Sequence, residues 1–229
     1  MRDLSLEELA QMIDISCVKS DETVKDIDKM VAAVKEYGFV CAFALPGLTP
    51  YLVKQLKRET HTMTGGTVGF PSGGDTTQSK VFQAEQLLEM GCGELDMVIQ
   101  IAQLKSQNYD SVYQDIKAVT DAAGKVPVKT ILEVTLLTDS EIAAACKIAE
   151  QAGTSYIKTG TGWCPEPTQL RHIEFIKSIV QPQTKIKAAG GIRNLDTLLE
   201  MKQAGCDRFG ISVHAALQIM AQAKATKHH

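Results

Sequence analysis

The 229-residue sequence predicts an α/β chain closed into a single (β/α)8 TIM barrel, with an extra helix at its N-terminus. Three observations carry that expectation. Eight short β-rich stretches each lead into a longer segment with helical periodicity, which is the unit count of a closed barrel. Gly38, Gly91, Gly124, Gly153 and Gly205 stand at corresponding helix-to-strand joints, where glycine ends a helix. The first strand runs on into IDISCVKSD, without the G-x-G-x-x-G of an open dinucleotide-binding sheet, the other fold this alternation builds.

A helix is expected over residues 4–11. Strands are then expected at 12–16, 39–45, 63–68, 94–99, 126–132, 155–159, 184–188 and 208–211. The intervening segments, such as TVKDIDKMVAAVKEYG, TTQSKVFQAEQLLEMG and DSEIAAACKIAEQAG, carry apolar residues three and four apart and stop at glycine. No linker rich in Pro, Gly or Ser divides the chain, so residues 1–229 read as one domain rather than two small ones.

Composition excludes whole classes of function. Twenty-seven acidic against 24 basic residues leave a net charge of -3, with no basic patch for nucleic acid. No apolar run reaches the ~20 residues of a membrane span. The six dispersed cysteines form no C-x-x-C pair, and MRDLSLEELA has no apolar signal region. Reduced thiols and a cytoplasmic location are the expectation.

Barrel sites form at the C-terminal ends of the strands. The sixth strand gives YIKTGTGW, with Tyr156 and Lys158 on one face. The seventh gives KIKAAGGIR, with Lys185 and Lys187 on one face and Gly190-Gly191 directly after. Two ammonium groups in one partly dry lumen disfavour each other's charge, and a lysine of lowered pKa is the amine that forms a Schiff base with a carbonyl. Taken singly, such lysines read as floor residues paired with carboxylates. At adjacent strand ends, each before a glycine-rich turn, they read as a site. Glu94 and Asp96 in GELDMVIQ share a face, and spacing does not choose between them. Lys129, Glu133 and Asp14 are weaker candidates of the same kind.

The stretches TGTG, AGGIR and FGIS after strands six, seven and eight read as a cradle for phosphate, with backbone N–H groups and helix N-termini turned to one spot. His61, His172 and His214 show no metal-ligand spacing and read as surface or capping residues. His228-His229 are native or an expression remnant. Trp163 and Cys164 line the mouth or pack beside it. No cysteine stands in a nucleophile's context.

At these motifs the sequence resembles the deoxyribose-phosphate aldolase family. The likeness runs over nearly the whole chain through TVGFPSGGDTTQSKVFQAE, GCGELDMVIQIAQLKSQNYDSVYQDI, VKTILEVTLLTDSEI, YIKTGTGW and IKAAGGIRNLDTLLEMKQAG. The resemblance implies that Lys158 is the Schiff-base lysine, Lys187 the second lysine that lowers its pKa, and Asp96 part of a proton relay. It implies phosphate binding at Gly162, Gly190, Gly191 and Ser212; Gly210 in FGIS is a further phosphate-site candidate, and Asp14, Lys129 and Thr159 are candidate supporting residues of the site. The implied reaction is reversible cleavage of 2-deoxyribose 5-phosphate to glyceraldehyde 3-phosphate and acetaldehyde. No metal or cofactor is implied, and the partners expected are a small sugar phosphate and a second copy of the chain in a homodimer.

The departures from the family pattern fall around the substrate. Asp14-Ile15-Ser16 stands for D-H-T, and Ala42-Phe43-Ala44-Leu45-Pro46 for V-C-V-N-P. Gly160 replaces a serine, Ser212-Val213 replaces paired serines, and the C-terminal tyrosine is missing. A different sugar or aldehyde, a non-covalent phosphate-sugar isomerase or epimerase, and a non-catalytic binding relative are therefore the competing readings.

Overall fold

The computed structural model describes residues 4–226; His228-His229 lie outside them. Eight parallel strands close into a barrel in sequence order. They are β1 (Ile13–Cys17), β2 (Cys41–Ala44), β3 (Met63–Val68), β4 (Glu94–Val98), β5 (Val128–Ile131), β6 (Tyr156–Lys158), β7 (Lys185–Ala189) and β8 (Arg208–Ser212). β8 returns to β1 with Ile13 opposite Phe209 and Ser16 opposite Ser212. Several strands are shorter than the sequence suggests, β6 having three residues and β2 four. Barrel strands tilt, so apolar residues flanking the paired segment continue the core without joining the ladder. Phe39 and Leu132 are of this kind, both fully buried outside a strand.

The extra helix α1 (Leu6–Ala10) is capped by Ser5 and Glu8, each side chain bonded to the other's backbone N–H. The outer layer contains α2 (Val24–Tyr37), α3 (Thr49–Leu56), α4 (Thr77–Glu89), α5 (Ile101–Lys105), α6 (Tyr109–Ala123), α7 (Asp139–Gln151), α8 (Leu170–Ile179), α9 (Leu195–Gln203) and α10 (Val213–Thr226). α2 ends on Gly38 at φ 70°, a left-handed backbone that glycine adopts without a Cβ clash. Two helices, α5 and α6, follow β4 where the alternation led us to expect one. A 3-10 turn (Val134–Leu136) separates β5 from α7.

Residues of one parity, such as Ile13, Ile15, Ile157 and Ile186, face the helices and make the apolar core. Between α4 and α6 a buried ion pair interrupts it. Lys80 Nζ lies 2.6 Å from Asp115 Oδ2, both side chains 0% exposed, and donates to the Val98 carbonyl at 2.8 Å. Thr77 and Gln100 donate to the other Asp115 oxygen. Burial pulls the Lys80 pKa down and pushes that of Asp115 up, each toward its neutral form.

Candidate active site

The other parity fills the lumen, and there the chain is charged. Asp14 from β1, Glu94 and Asp96 from β4, Lys129 from β5, Lys158 from β6, Lys187 from β7 and Arg208 from β8 are all buried. Both β4 carboxylates point inward, so Glu94 and Asp96 share the lumen. Asp96 Oδ2 accepts from Lys158 Nζ at 2.7 Å and from Lys187 Nζ at 2.6 Å. Lys187 Nζ is also 2.6 Å from Asp14 Oδ2, whose other oxygen accepts from Arg208 at 2.6 Å. Lys129 bonds Glu94 and lies 3.3 Å from Asp96 Oδ1 and 3.6 Å from Asp14 Oδ2.

Three carboxylates thus face four basic groups, which favours one base without its proton. The electrostatics single out Lys158. Burial drives its pKa down to about 8; Asp96 opposes the shift, and Lys187 and Lys129 add to it. Burial is therefore the larger cause, ahead of the neighbouring Lys187 that the sequence pointed to. About a tenth of such a group is free amine at pH 7. Burial works to raise the Asp96 carboxyl, but Lys129, Lys158 and Lys187 outweigh it and hold it far below the ordinary carboxylate range. The same competition holds Asp14 down and leaves Lys129 and Arg208 raised.

A cavity of about 200 Å³ opens above these groups at the C-terminal strand ends, with Lys158, Lys187, Asp96 and Asp14 in its floor. Phe43 and Thr67 form part of its wall. The Phe43 ring stands 4.3 Å from Lys187 Nζ and 4.9 Å from Lys129 Nζ, face to cation. The Thr67 hydroxyl is buried with no hydrogen-bond partner among the described residues. Gly210 belongs to β8 rather than to a loop. A Cβ on it would meet Ala189 Cβ at 2.9 Å and Lys187 Cε at 3.1 Å, so its bare backbone leaves room for both neighbours on β7.

At the rim, Gly162, Gly190 and Gly191 have φ of 75°, 97° and 87° and line the cavity with Ser212. A Cβ on Gly162 would stand 3.7 Å from Gly190 Cα, so the segments after β6 and β7 run side by side there. Arg193 joins them from the segment after β7.

Several candidates fall elsewhere. Thr159 has the opposite parity to Lys158, and its hydroxyl stitches β6 to β7 through Ala189 N–H and the Ala189 carbonyl. Glu133 does not join the lysines. It accepts from Thr161 N–H and hydroxyl and so fixes the TGTG segment. This contact accounts for Gly160, because a Cβ there would come within 2.7 Å of Glu133 Oε1. Lys129 lies beneath the cavity, and Lys185 is exposed beside Tyr156 at the other end of β6 and β7. Trp163 clamps instead of lining the mouth, its Nε1 donating to the Val18 carbonyl at 2.9 Å. His172 caps α8 through Gln169 N–H, and His61 and His214 are exposed.

The sequence pattern did not single out Arg208, Lys19 or Thr67. Arg208 shares the parity of Gly210 and Ser212, a signal that could have placed it in the lumen. The described residues include one cluster with metal-ligand spacing, Asp14, Cys41 and Glu94, with donor atoms within 4.8 Å of one another. Lys129 and Arg208 already occupy those carboxylates, so the donor set does not suit a dication.

Fold and site together define a barrel enzyme organised around a buried lysine amine. The family model for DeoC/LacD aldolases matches residues 9–213, and the chain belongs to that family. It is 42% identical to the deoxyribose-phosphate aldolase of Sinorhizobium medicae over 97% of this chain and 90% of that protein. It is 41% identical to the one from Methanothermobacter thermautotrophicus, over 90% of this chain and 92% of that protein. Among solved structures, the tetrameric deoxyribose phosphate aldolase of Aeropyrum pernix superposes with a TM-score of 0.88 at 27% identity. That match covers 97% of this chain and 93% of the other.

Proposed function

We propose that the protein is a class I aldolase that reversibly cleaves 2-deoxyribose 5-phosphate to glyceraldehyde 3-phosphate and acetaldehyde. The observation that carries this reading is the Lys158 amine, lowered to about 8 and bonded at 2.7 Å to Asp96 at the floor of a cavity. The neutral amine attacks the C1 aldehyde carbon, and loss of water gives a protonated imine. Asp96 is already placed as the counter-ion of a cation at that nitrogen. A base takes the C3 hydroxyl proton, the C2–C3 bond breaks, and its electron pair flows into the imine to leave an enamine. C3 departs as the aldehyde of glyceraldehyde 3-phosphate. Protonation of the enamine at C2 and hydrolysis release acetaldehyde and restore the amine. Lys187, on Asp96 and Asp14 at 2.6 Å each, supplies and returns protons along this chain of carboxylates.

Borohydride reduction in the presence of acetaldehyde or the sugar phosphate, followed by peptide mass mapping, tests the reading. An adduct at Lys158 supports it. An adduct elsewhere, or none, refutes it and favours the isomerase or binding-protein alternative.

The whole 1–229 chain acts as one catalytic unit in this proposal. No helix among the described residues is long and apolar enough to cross a membrane. Six unpaired cysteines support a reducing, cytoplasmic setting. The reading includes a homodimer, which would bury exposed apolar side chains such as Phe82, 62% exposed; light scattering of the purified protein measures it.

A further inference from the structure

The cations in the cavity are of two kinds. Lys158 and Lys187 are held by carboxylates on the floor. Lys19, in the segment between β1 and α2, is not. Its ammonium donates to the Gly162 carbonyl and stands 5.0 Å over the Trp163 ring. No carboxylate oxygen of the described residues pairs with it. Glu22 lines the same cavity, but its carboxylate accepts from the Lys19 backbone N–H at 2.6 Å rather than from the ammonium. Gly162 in turn abuts Gly190, so the Lys19 charge is parked on the glycine cradle itself.

A phosphate ester entering this cavity needs a local cation, because the chain's net charge of -3 attracts no anion from a distance. Where β8 meets α10, Ser212 offers one side-chain hydroxyl to the rim and the next residue, Val213, offers none. We propose that Lys19 determines specificity for a phosphorylated substrate, leaving the Gly162 carbonyl to pair with the phosphate. This rests on the reading that a sugar phosphate occupies the cavity. An ammonium held by a neutral carbonyl and an aromatic face gains by moving to a dianion, because charge-assisted hydrogen bonds are the stronger ones. Arg193 is a second cation at the rim, and it remains in each variant below.

The test compares cleavage of deoxyribose 5-phosphate with cleavage of unphosphorylated deoxyribose in wild type, Lys19→Gln, Lys19→Arg and Trp163→Phe. Lys19→Gln is expected to lower kcat/KM for the phosphorylated sugar by about ten- to a hundredfold, mainly through KM, and to leave deoxyribose nearly unchanged. Lys19→Arg restores most of the loss. Trp163→Phe removes the indole bond to Val18 but keeps a ring under the ammonium, and is expected to leave the ratio of the two substrates where it was. Added salt raises KM for the phosphorylated sugar more in wild type than in Lys19→Gln. An equal fall on both substrates in Lys19→Gln would show that Lys19 only fastens two loops, and no fall on either would show that it is idle. Both overturn the proposal. Borohydride trapping with acetaldehyde alone needs no phosphate. It reports on Lys158 chemistry separately, so failure of the aldolase reading is distinguishable from failure of this one.

Discussion

The Phe43 ring occupies the space that a side chain at position 65 would need: a Cβ on Gly65 would lie 2.2 Å from two of its carbons. The two residues are paired across β2 and β3. A bulky residue on one strand is thus accommodated by the absence of a side chain on the next. The ring cannot swing away freely, since it is 2% exposed and packed against the ammonium groups of Lys129 and Lys187. Gly65→Ala is therefore expected to destabilise the fold by about 1–3 kcal/mol through overpacking. Adding Phe43→Ala should recover part of that loss, so that the double variant costs less than the two singles summed. Urea melts of the three variants measure this, and strict additivity would contradict the described fit.

Lys158 sets the alkaline behaviour. With its pKa lowered to about 8, the rate of imine trapping by acetaldehyde should rise with pH and level off above a midpoint near 8. The stability effect has a definite sign. The folded pKa lies below the usual lysine value of 10.5, so the unfolded chain binds more protons between about 8 and 10.5, and Lys158 adds to stability as pH rises through that window. Trapping rates measured from pH 6 to 10 check the first expectation; a profile flat across pH 8 would contradict it.

Asp96→Asn has a less obvious outcome. It removes the carboxylate that three lysines share, at 2.7, 2.6 and 3.3 Å. Leaving those charges uncompensated should cost about 3–5 kcal/mol of stability. Because Asp96 is what holds the Lys158 pKa up against burial, the trapping midpoint should fall below that of wild type. Turnover should nevertheless drop by about 10²- to 10⁴-fold if Asp96 carries the proposed proton relay. The split between easier imine formation and slower turnover is read by trapping and steady-state assays on one preparation. A midpoint that moves upward would contradict the electrostatic account.

Outside the lumen, Lys80→Met leaves Asp115 buried without its cation and is expected to cost about 3–5 kcal/mol. Lys80→Met with Asp115→Leu removes both charges and should regain most of that loss. Neither change should move the trapping midpoint of Lys158. Denaturant melts and the trapping profile together check this pair.

The fold was legible in the sequence because its signals are local. Period-two alternation put Lys158 inward, and glycines marked the joints between helices and strands. The single helix expected after β4 fails because the break is subtle: Ser106, Gln107 and Asn108 divide α5 from α6 without a proline or glycine, Gln107 taking φ 60°. Most of the individual lumen residues were legible, Arg208 excepted, but their partnerships were not. Lys158 and Asp96 are 62 residues apart, Lys187 and Asp96 are 91, and Arg208 and Asp14 are 194. Only closure of the barrel brings them together. Glu133 was misassigned for a related reason. It looked like one more carboxylate at a strand end, but its φ of 58° turns it out of the strand and toward Thr161.

The ion pairs of the lumen join β1 to β7 and β8, and β4 to β5, β6 and β7. Sliding any of these strands by one residue would turn its charged side chain outward against the apolar faces of the helices. The pairs therefore act as a combination lock on strand register. A mispaired barrel is penalised by every charge it strands, so the groups that hold the amine ready also discriminate the correct closure from its near neighbours during folding.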